Sequence, residues 1–183
     1  MTKDNVTAAK PGASGAAYIG ATTATLPTSV SSTLTGFTEL GYITEDGLTN
    51  NSSPSSDVIK AWGGDIVLTL TESKEDTFTF TLMEAMSADV LKLVHGDDNV
   101  SGSLAAGITV EVNAYDPEDH AFVFDMVLKN DALKRIVVPF GKVTEVGEVT
   151  YSGGDAVGYE ITIGCSPDSN GNTHYEYIKE ASQ

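Results

Sequence analysis

The stretch from Asp65 to Met83 constrains the fold of this chain more than any other. It holds two runs in which apolar residues alternate with threonine, separated by a polar and charged segment at residues 72–76. Successive side chains of a strand point to opposite sides of a sheet, so each run has one apolar face. We therefore predict two antiparallel strands joined by a turn at residues 72–76. The predicted buried face holds Ile66, Leu68, Leu70, Phe78, Phe80 and Leu82, and the opposite face holds Val67, Thr69, Thr71, Thr77, Thr79 and Thr81.

The predicted threonine-rich face is polar without being charged. Threonine is β-branched, which favours a strand, and its hydroxyl group can face water. A sheet with one buried side and one smooth polar side is better suited to form a wall than a catalytic cleft.

Alternating segments continue through the rest of the chain and indicate a mainly β protein. Turn signals rich in Gly, Asn and Asp separate these segments. One helix is expected at residues 87–95, where Ser87 can cap the first turn, Asp89 favours the positive end and Gly96 ends the helix. Mostly antiparallel strands with one short flanking helix predict a β-sandwich or a partly closed antiparallel barrel.

Three segments fall outside this regular pattern. Residues 1–16 are small and polar and are expected to form a flexible arm, residues 44–64 a long loop, and residues 166–183 a C-terminal arm. This leaves residues 17–165 as the folded domain. Trp62, the only tryptophan, closes the loop. A large aromatic residue there anchors either onto its own core or into a neighbour, and we favour the core.

The charge balance excludes some partners. The chain has 26 Asp and Glu against 10 Lys and Arg, which gives a net charge of −16. Binding to nucleic acid or to an anionic membrane needs a basic surface, which this balance disfavours. The single cysteine excludes an internal disulfide, and no signal peptide or membrane-spanning run is evident. We therefore expect assembly in a cytoplasm.

No group of residues has the spacing of a catalytic or metal site. The histidines lie far apart, at His95, His120 and His174. Cys165 has no CxxC partner and alternates with apolar residues, as a core thiol would. Residues 97–102 resemble the start of a calcium loop, but Ile108 stands where a carboxylate is needed, so only a looser cation site stays open. We predict no catalytic, cofactor-binding or metal-binding residues, and no enzyme.

Five segments, in order and spacing, carry a resemblance to a known family. They are LGYITEDGL at 40–48, KAWGGD at 60–65, VHGDDNV at 94–100, LKRIVVP at 133–139 and VGYEIT at 157–162. Together they resemble the major tail tube proteins of long-tailed bacteriophages, particularly those that infect Gram-positive bacteria. The resemblance covers residues 15–178, and no single motif is diagnostic.

The resemblance implies an assembly. Members of this family form six-membered rings that stack into a hollow tube, lined by a continuous β-barrel with strands from every subunit. Genomic DNA passes through the tube at infection. The implied location is the virion tail, and the implied partners are further copies, a tape-measure protein, and tail terminator and baseplate proteins. A long loop that reaches a neighbouring subunit or ring is also implied, and residues 44–64 are the matching segment.

Two sets of candidate residues follow from these expectations. The inter-subunit contacts are assigned to Asp46, Leu48, Asn50, Pro54, Val58 and Trp62. The lumen candidates on the predicted hairpin are Thr69, Thr71, Thr77, Thr79, Glu72 and Glu75. A wall of hydroxyl groups and carboxylates repels phosphate, so DNA would slide past it without adhering.

A carbohydrate-binding or adhesin-like β module is the alternative from another class. Its stacking platforms would be Trp62, Tyr42 and Tyr151, because aromatic side chains combine a large apolar surface with a polar tip. Such a module would be secreted, and the lack of an evident signal peptide counts against it.

Overall fold

The computed structural model describes residues 6–12 and 16–180, without the side chains of residues 55–56 and 71–74. Within that part of the chain there are eleven strands and one α-helix. In chain order they are β1 (Lys10–Pro11), β2 (Ala17–Ala21), β3 (Phe37–Gly41), β4 (Ile43–Lys60), β5 (Ile66–Leu82), α1 (Ala88–His95), β6 (Val100–Ser103), β7 (Gly107–Val110), β8 (Asp119–Val127), β9 (Leu133–Val146), β10 (Tyr159–Ser166) and β11 (Tyr175–Lys179). Short 3₁₀ turns lie at Asp97–Asn99 and Lys129–Asp131.

Nine of these strands form one antiparallel sheet. Its order is β3-β2-β8-β9-β10-β5-β4, with β1 added to β8 and β11 added to β9, while β6 and β7 form a separate pair. Although β3 and β4 lie at opposite ends of this order, a single residue, Tyr42, joins them in the chain. The sheet must therefore curl until its ends meet at one corner. Gly41 makes that corner possible, because its φ is +81° and a Cβ there would collide with the side chain of Glu84.

The core forms where the curled sheet folds over itself. The ring centroids of Phe78 and Phe124 are 5.8 Å apart, and those of Phe80 and Phe124 are 5.1 Å apart. Since β9 and β10 separate β5 from β8 in the sheet, these contacts join the two inner faces, as in a sandwich. The helix α1 closes the core with Val90 and Leu93. The predicted mainly β, antiparallel fold with one helix is confirmed.

The helix begins one residue after the predicted position. Ser87 precedes it in an extended conformation, and its carbonyl oxygen accepts a hydrogen bond from the N–H of Leu91. Its side chain makes no capping hydrogen bond, so the predicted capping role of that hydroxyl group is wrong. No helix in the described residues is long and apolar enough to cross a membrane.

The central hairpin differs from the prediction. β5 contains no turn over its 17 residues and pairs with the 18-residue β4, with shifts of register along the way. The turn lies at residues 61–65, where the N–H of Gly64 donates to the carbonyl of Ala61. The predicted turn at residues 72–76 and the predicted loop at residues 44–64 are therefore wrong. Apolar and polar residues alternate in a strand when one of its sides is buried. The outer part of β4 has no buried side, so its sequence resembles a loop.

The apolar residues near the turn are also not in the core. Ile66, Leu68 and Leu70 are 60%, 49% and 45% exposed, and Trp62 is fully exposed. The predictions that the first three line a buried face and that Trp62 packs onto its own core are therefore wrong. The inner half of β5, from Phe78 to Leu82, does face the core as predicted.

Parts of the predicted terminal arms lie along the sheet. Lys10–Pro11 pairs with β8, and the N–H of Gly12 donates to the carbonyl of Asp125. Near the other terminus, β11 pairs with the first half of β9. These segments of the predicted arms are thus paired with the chain's own sheet. The rest of the predicted N-terminal arm, residues 1–5 and 13–15, and residues 181–183 lie outside the described residues.

Two substitutions on β5 test the division between core and exposed strand. Phe78→Ala should lower the free energy of unfolding by about 3–5 kcal/mol, because it opens a cavity beside Phe124. Leu68→Ala on the same strand should change it by about 0.5 kcal/mol or less, because this side chain is half exposed in the free subunit. Urea unfolding of both variants measures the difference. Equal losses for the two variants would contradict this division.

Candidate assembly surfaces

The outer part of the β4–β5 pair projects from the core as an arm, which we define as residues 51–75. Every described side chain in this range is exposed, and the first buried residue at its base is Asp76. Inside the arm's base, Leu48 pairs with Phe80 over the core. A strand pair without a third strand or a packed face is only marginally stable in water by itself. The arm is therefore held by backbone pairing and by its base.

The far end of the arm carries a cluster of apolar side chains, which we call the apolar tip. Their exposure ranges from 38% to complete, at Val58, Ile59, Trp62, Ile66, Val67, Leu68 and Leu70. Single exposed apolar residues are common, but a concentration of them within residues 58–70, on both faces of the strand pair, indicates an interaction surface. The apolar tip is thus the strongest indication in the structure that the subunit binds another chain.

Within the described residues both edges of the arm are unpaired, because β10 pairs with β5 only from Thr77 to Leu82; the edge of β4 is the longer one. β4 is the last strand of the sheet order, so its outer edge presents a row of backbone N–H and C=O groups over 18 residues. Such an edge is a template for a strand of another chain. Pro54 lies on this strand and has no N–H group, which interrupts the row.

A bulge interrupts β5 near the middle of the arm. Ser55 pairs with Ser73, and Ser56 pairs with Thr71, which leaves Glu72 without a partner residue on β4. An extra residue in one strand exchanges the two faces of that strand beyond the bulge.

This exchange separates the predicted lumen residues. Thr69 pairs with Val58, and this position lies on the side of the strand pair that continues to Phe78. Thr77 and Thr79 lie on the opposite side. The prediction that these threonines share one face is therefore wrong for Thr69, because the bulge could not be recognised in the sequence. The side chains of Thr71 and Glu72 lie outside the described part of the structure.

The remaining threonines join a larger surface, which we call the threonine face. The strand registers place it on the outer side of β4, β5, β10 and β9. The Oγ1 atoms of Thr79 and Thr162 are 2.8 Å apart, and the hydroxyl group of Thr144 donates to the carbonyl of Thr162. The threonine face consists of Thr49, Thr77, Thr79, Thr81 and Thr162 together with Glu75, Glu145 and Glu160.

The threonine face is acidic as well as hydroxyl-rich. Its three glutamates are exposed, whereas its threonines on β5 are half-buried between neighbouring strands. At its end the register places Lys142, whose Nζ lies 2.8 Å from Asp116. The charge of that lysine is therefore partly offset by its own chain, and the surface stays negative.

The predicted inter-subunit residues fall into two groups. Asp46, Pro54, Val58 and Trp62 are exposed along the strand pair or at its turn and are available to a neighbour. The other two serve the subunit itself, because Leu48 packs against the core and Asn50, although exposed, donates a hydrogen bond to Asp76 over 2.9 Å. Val58 and Trp62 belong to the apolar tip, whereas Asp46 lies nearer the core.

Asp76 fixes the base of the arm. Its side chain is fully buried, accepts hydrogen bonds from Asn50 and Thr173, and has one oxygen 2.6 Å from Nδ1 of His174. Burial alone raises the pKa of Asp76, but these hydrogen bonds and the nearby His174 outweigh it, so the net pKa is lowered. The carboxylate therefore joins β4, β5 and the segment before β11. Sequence reasoning missed this group, since its members lie about a hundred residues apart.

A second buried ion pair holds the loop between β2 and β3. Arg135 makes a two-pronged contact with Asp125, with distances of 2.6 and 2.7 Å, and also donates to the carbonyls of Ser29 and Ser32. A guanidinium group is planar and suits this geometry. The pair anchors structure, and it leaves no donor group aimed at a ligand.

No three His, Cys, Asp or Glu side chains among the described residues converge to hold a metal ion. Burial raises the pKa of Cys165 to about 12, with a further contribution from the charge of Asp76, so its thiol is unreactive at neutral pH. Residues 97–99 form a 3₁₀ turn, in which Asn99 donates to the carbonyl of His95.

An open antiparallel sheet with an unpaired edge and a projecting arm of exposed apolar side chains is typical of a structural subunit that associates with other chains. The model of a family described as phage tail tube protein matches residues 1–183. The chain belongs to this family, and the resemblance found in the sequence is confirmed. It is thus a structural protein of a bacteriophage tail. A comparison with curated proteins finds no match.

The Asp76 cluster gives a prediction about acid stability. Asp76→Asn should lower the free energy of unfolding at pH 7 by about 1–3 kcal/mol, because buried donors lose their charged acceptor. A lowered pKa in the folded state means that this contribution is present above the pKa of the unfolded carboxylate, about 3.9, and is lost as the pH falls through the folded value. The difference from wild type should therefore shrink in acid.

Urea unfolding at pH 7 and pH 3 measures this difference, with Asp57→Asn on the exposed arm as the matched control. The control variant should follow wild type at both pH values. If Asp76→Asn also follows wild type at pH 7, the cluster does not stabilise the base of the arm.

Proposed function

We propose that copies of this chain assemble into hexameric rings, that the rings stack into the tail tube, and that DNA passes through its bore into the host. The arm is the observation that carries this proposal. In one copy its edge has no partner strand and its apolar tip is exposed to water. Membership of the tail tube family makes an identical copy the expected partner. The role is structural and involves no catalysis.

The apolar tip supplies a driving force for assembly. Fully burying one large apolar side chain contributes ~1.5–3 kcal/mol. Covering the exposed area of the seven side chains of the apolar tip would therefore contribute on the order of 10 kcal/mol. That is comparable to the cost of ordering two chains relative to one another. Backbone pairing along β4 would add direction, because strand hydrogen bonds fix the register between copies.

The threonine face is proposed as the lining of the bore. Its hydroxyl groups offer DNA no fixed charge to hold, and its glutamates repel phosphate. A ring of six copies multiplies the net charge of −16 sixfold. Screening limits that charge to about 8 Å at physiological salt, so only groups that face the bore act on DNA. Repulsion between acidic subunits would also oppose premature polymerisation.

The remaining expectations are part of the same proposal. Assembly takes place in the host cytoplasm, and the tube meets a tape-measure protein, a tail terminator and baseplate proteins. Thr77, Thr79 and Glu75 face the bore, whereas Val58 and Trp62 contact a neighbouring subunit.

The carbohydrate-binding alternative finds little support in the geometry. Tyr42 and Tyr151 are 70% and 77% exposed, as a stacking platform requires. However, Trp62 lies at the far end of an 18-residue strand that starts beside Tyr42. At about 3.3 Å per residue the two side chains are separated by on the order of 50 Å, which is too far for one sugar-binding platform.

Shortening the arm tests the proposed assembly. Ser53 and Glu75 are paired across the arm, so residues 54–74 can be replaced by Asn-Gly, which forms a two-residue turn. The free subunit should keep its stability to within about 1 kcal/mol, because the removed side chains contribute little to the core. It should form no tubes in negative-stain microscopy, since the apolar tip and residues 54–60 of the unpaired β4 edge are gone.

The control removes Gly153 and Gly154 from an exposed loop at residues 151–158. This variant should assemble like wild type. Normal tubes from the shortened-arm variant would show that the arm is not the connector.

Thiol labelling tests which face lines the bore. Glu160→Cys lies on the threonine face and should react in the free subunit with both a small maleimide and a maleimide attached to a large polymer. In tubes the small reagent should still react, because the bore is filled with water, and the large one should not. Mass spectrometry measures the labelling, and the unreactive thiol of Cys165 does not interfere.

Val112→Cys, at a position that is 79% exposed on another part of the surface, is the control. If the large reagent labels Glu160→Cys equally in tubes and in free subunits, the threonine face is on the outside. If neither reagent reacts in tubes, this face is an interface between subunits.

A further inference from the structure

A groove lies at the base of the arm, on the side of β1. Its volume is about 520 Å³, and its lining includes Pro11, Ile43, Leu48, Phe124 and Met126. A cavity of this size and apolar character is typical of a site that takes a large side chain or a small ligand. We call it the β1–β4 groove.

The exposed tryptophan at the opposite end of the arm matches such a groove. Trp62 stands in the turn between β4 and β5 and has no contact that shields it from water. An exposed indole costs free energy that burial in an apolar site recovers, and tryptophan is among the residues that most often dominate interfaces.

The tryptophan cannot enter the groove of its own subunit. Leu48 at the groove and Lys60 beside the turn lie on one continuous strand, twelve residues apart. At about 3.3 Å per residue this separates the two sites by about 40 Å. A turn that enters the groove must therefore belong to another copy.

The charges around the two sites also match. The turn carries Lys60 and Asp65, and the rim of the groove carries Lys10 and Glu45, all of them exposed. Asp125 also lines the groove, but its charge is paired with Arg135. Each site thus offers one cation and one anion to the other. For a chain with a net charge of −16, a contact that brings its few lysines to carboxylates of a neighbour reduces repulsion between copies.

We propose that Trp62 of one copy inserts into the β1–β4 groove of a second copy. This inference rests on the proposed assembly and adds the receiving site. The contact is not self-complementary, because each copy gives one turn and receives another. A contact of this kind repeats from copy to copy and builds either closed rings or open filaments. It therefore explains how a single arm per subunit links many subunits.

The intrinsic fluorescence of Trp62 tests the first half of the proposal, because the chain has no other tryptophan. Its emission should shift to shorter wavelength when tubes form, and quenching by acrylamide should fall. Trp62→Ala should raise the critical concentration for assembly by about 30-fold, since 1.4 kcal/mol corresponds to a factor of ten and a dominant interface residue contributes at least about 2 kcal/mol. Tyr151→Ala, which removes another exposed aromatic residue, should leave that concentration unchanged.

Cross-linking tests the receiving site. Gly63→Cys keeps Trp62 and places a thiol beside it, and Ala9→Cys places one in the lining of the groove. A mixture of the two variants, assembled and treated with a short bismaleimide, should give covalent dimers. Gly63→Cys alone, or mixed with Val112→Cys, should give none.

The outcomes separate this inference from the proposed function. Tubes with an exposed Trp62, or tubes in which Gly63→Cys and Ala9→Cys do not cross-link, overturn the inference and leave the tube intact. If the wild-type protein forms neither rings nor tubes at high concentration, the proposed function and this inference fail together.

Discussion

The structure depends on how much of the β4–β5 strand pair can be buried by one chain. From Phe78 to Leu82 this pair covers the core, where Phe78 and Phe80 meet Phe124 across the curled sheet. Beyond Asp76, outward to the turn, every described side chain of the pair is exposed, so no described part of the chain covers it. The same two strands therefore stabilise the subunit at one end and expose apolar side chains at the other. A subunit of this kind has a buried core that stabilises its fold and exposed apolar side chains that favour association.

The base of the arm fixes the direction in which the arm leaves the core. Asp76 is buried and holds donors from β4 and from the segment before β11, so the arm leaves the core at a fixed position. Hydrogen bonds to a buried carboxylate are strong, and they are costly to leave unmade. A connector with a fixed starting direction loses less conformational freedom when it binds a neighbour. In the proposed assembly, the Asp76 carboxylate would thus link the fold of the subunit to its association with a neighbour.

Much of the core could be predicted from the sequence, because a strand with one buried face has apolar residues at every second position. The alternation of Phe78, Phe80 and Leu82 and the helix that ends at His95 are examples. The β4 half of the arm could not be predicted, because neither of its faces is buried and its sequence has the composition of a loop. The β5 half does alternate and is predicted as a strand, but its apolar side chains are exposed in the subunit. The bulge at Glu72 left no signal, and it moved Thr69 away from Thr77. The partners of Asp76 were also out of reach, since Thr173 and His174 are distant in sequence.

Hydrogen exchange tests the central claim most directly, namely that identical copies complete the arm's unpaired edge. In the free subunit, backbone amides of residues 51–60 that point away from β5 should exchange rapidly, because they have no acceptor in their own sheet. In purified tubes the same amides should be protected to the level of the core strands. Rapid exchange of these amides in intact tubes would show that no neighbouring chain pairs with this edge, and would contradict the account.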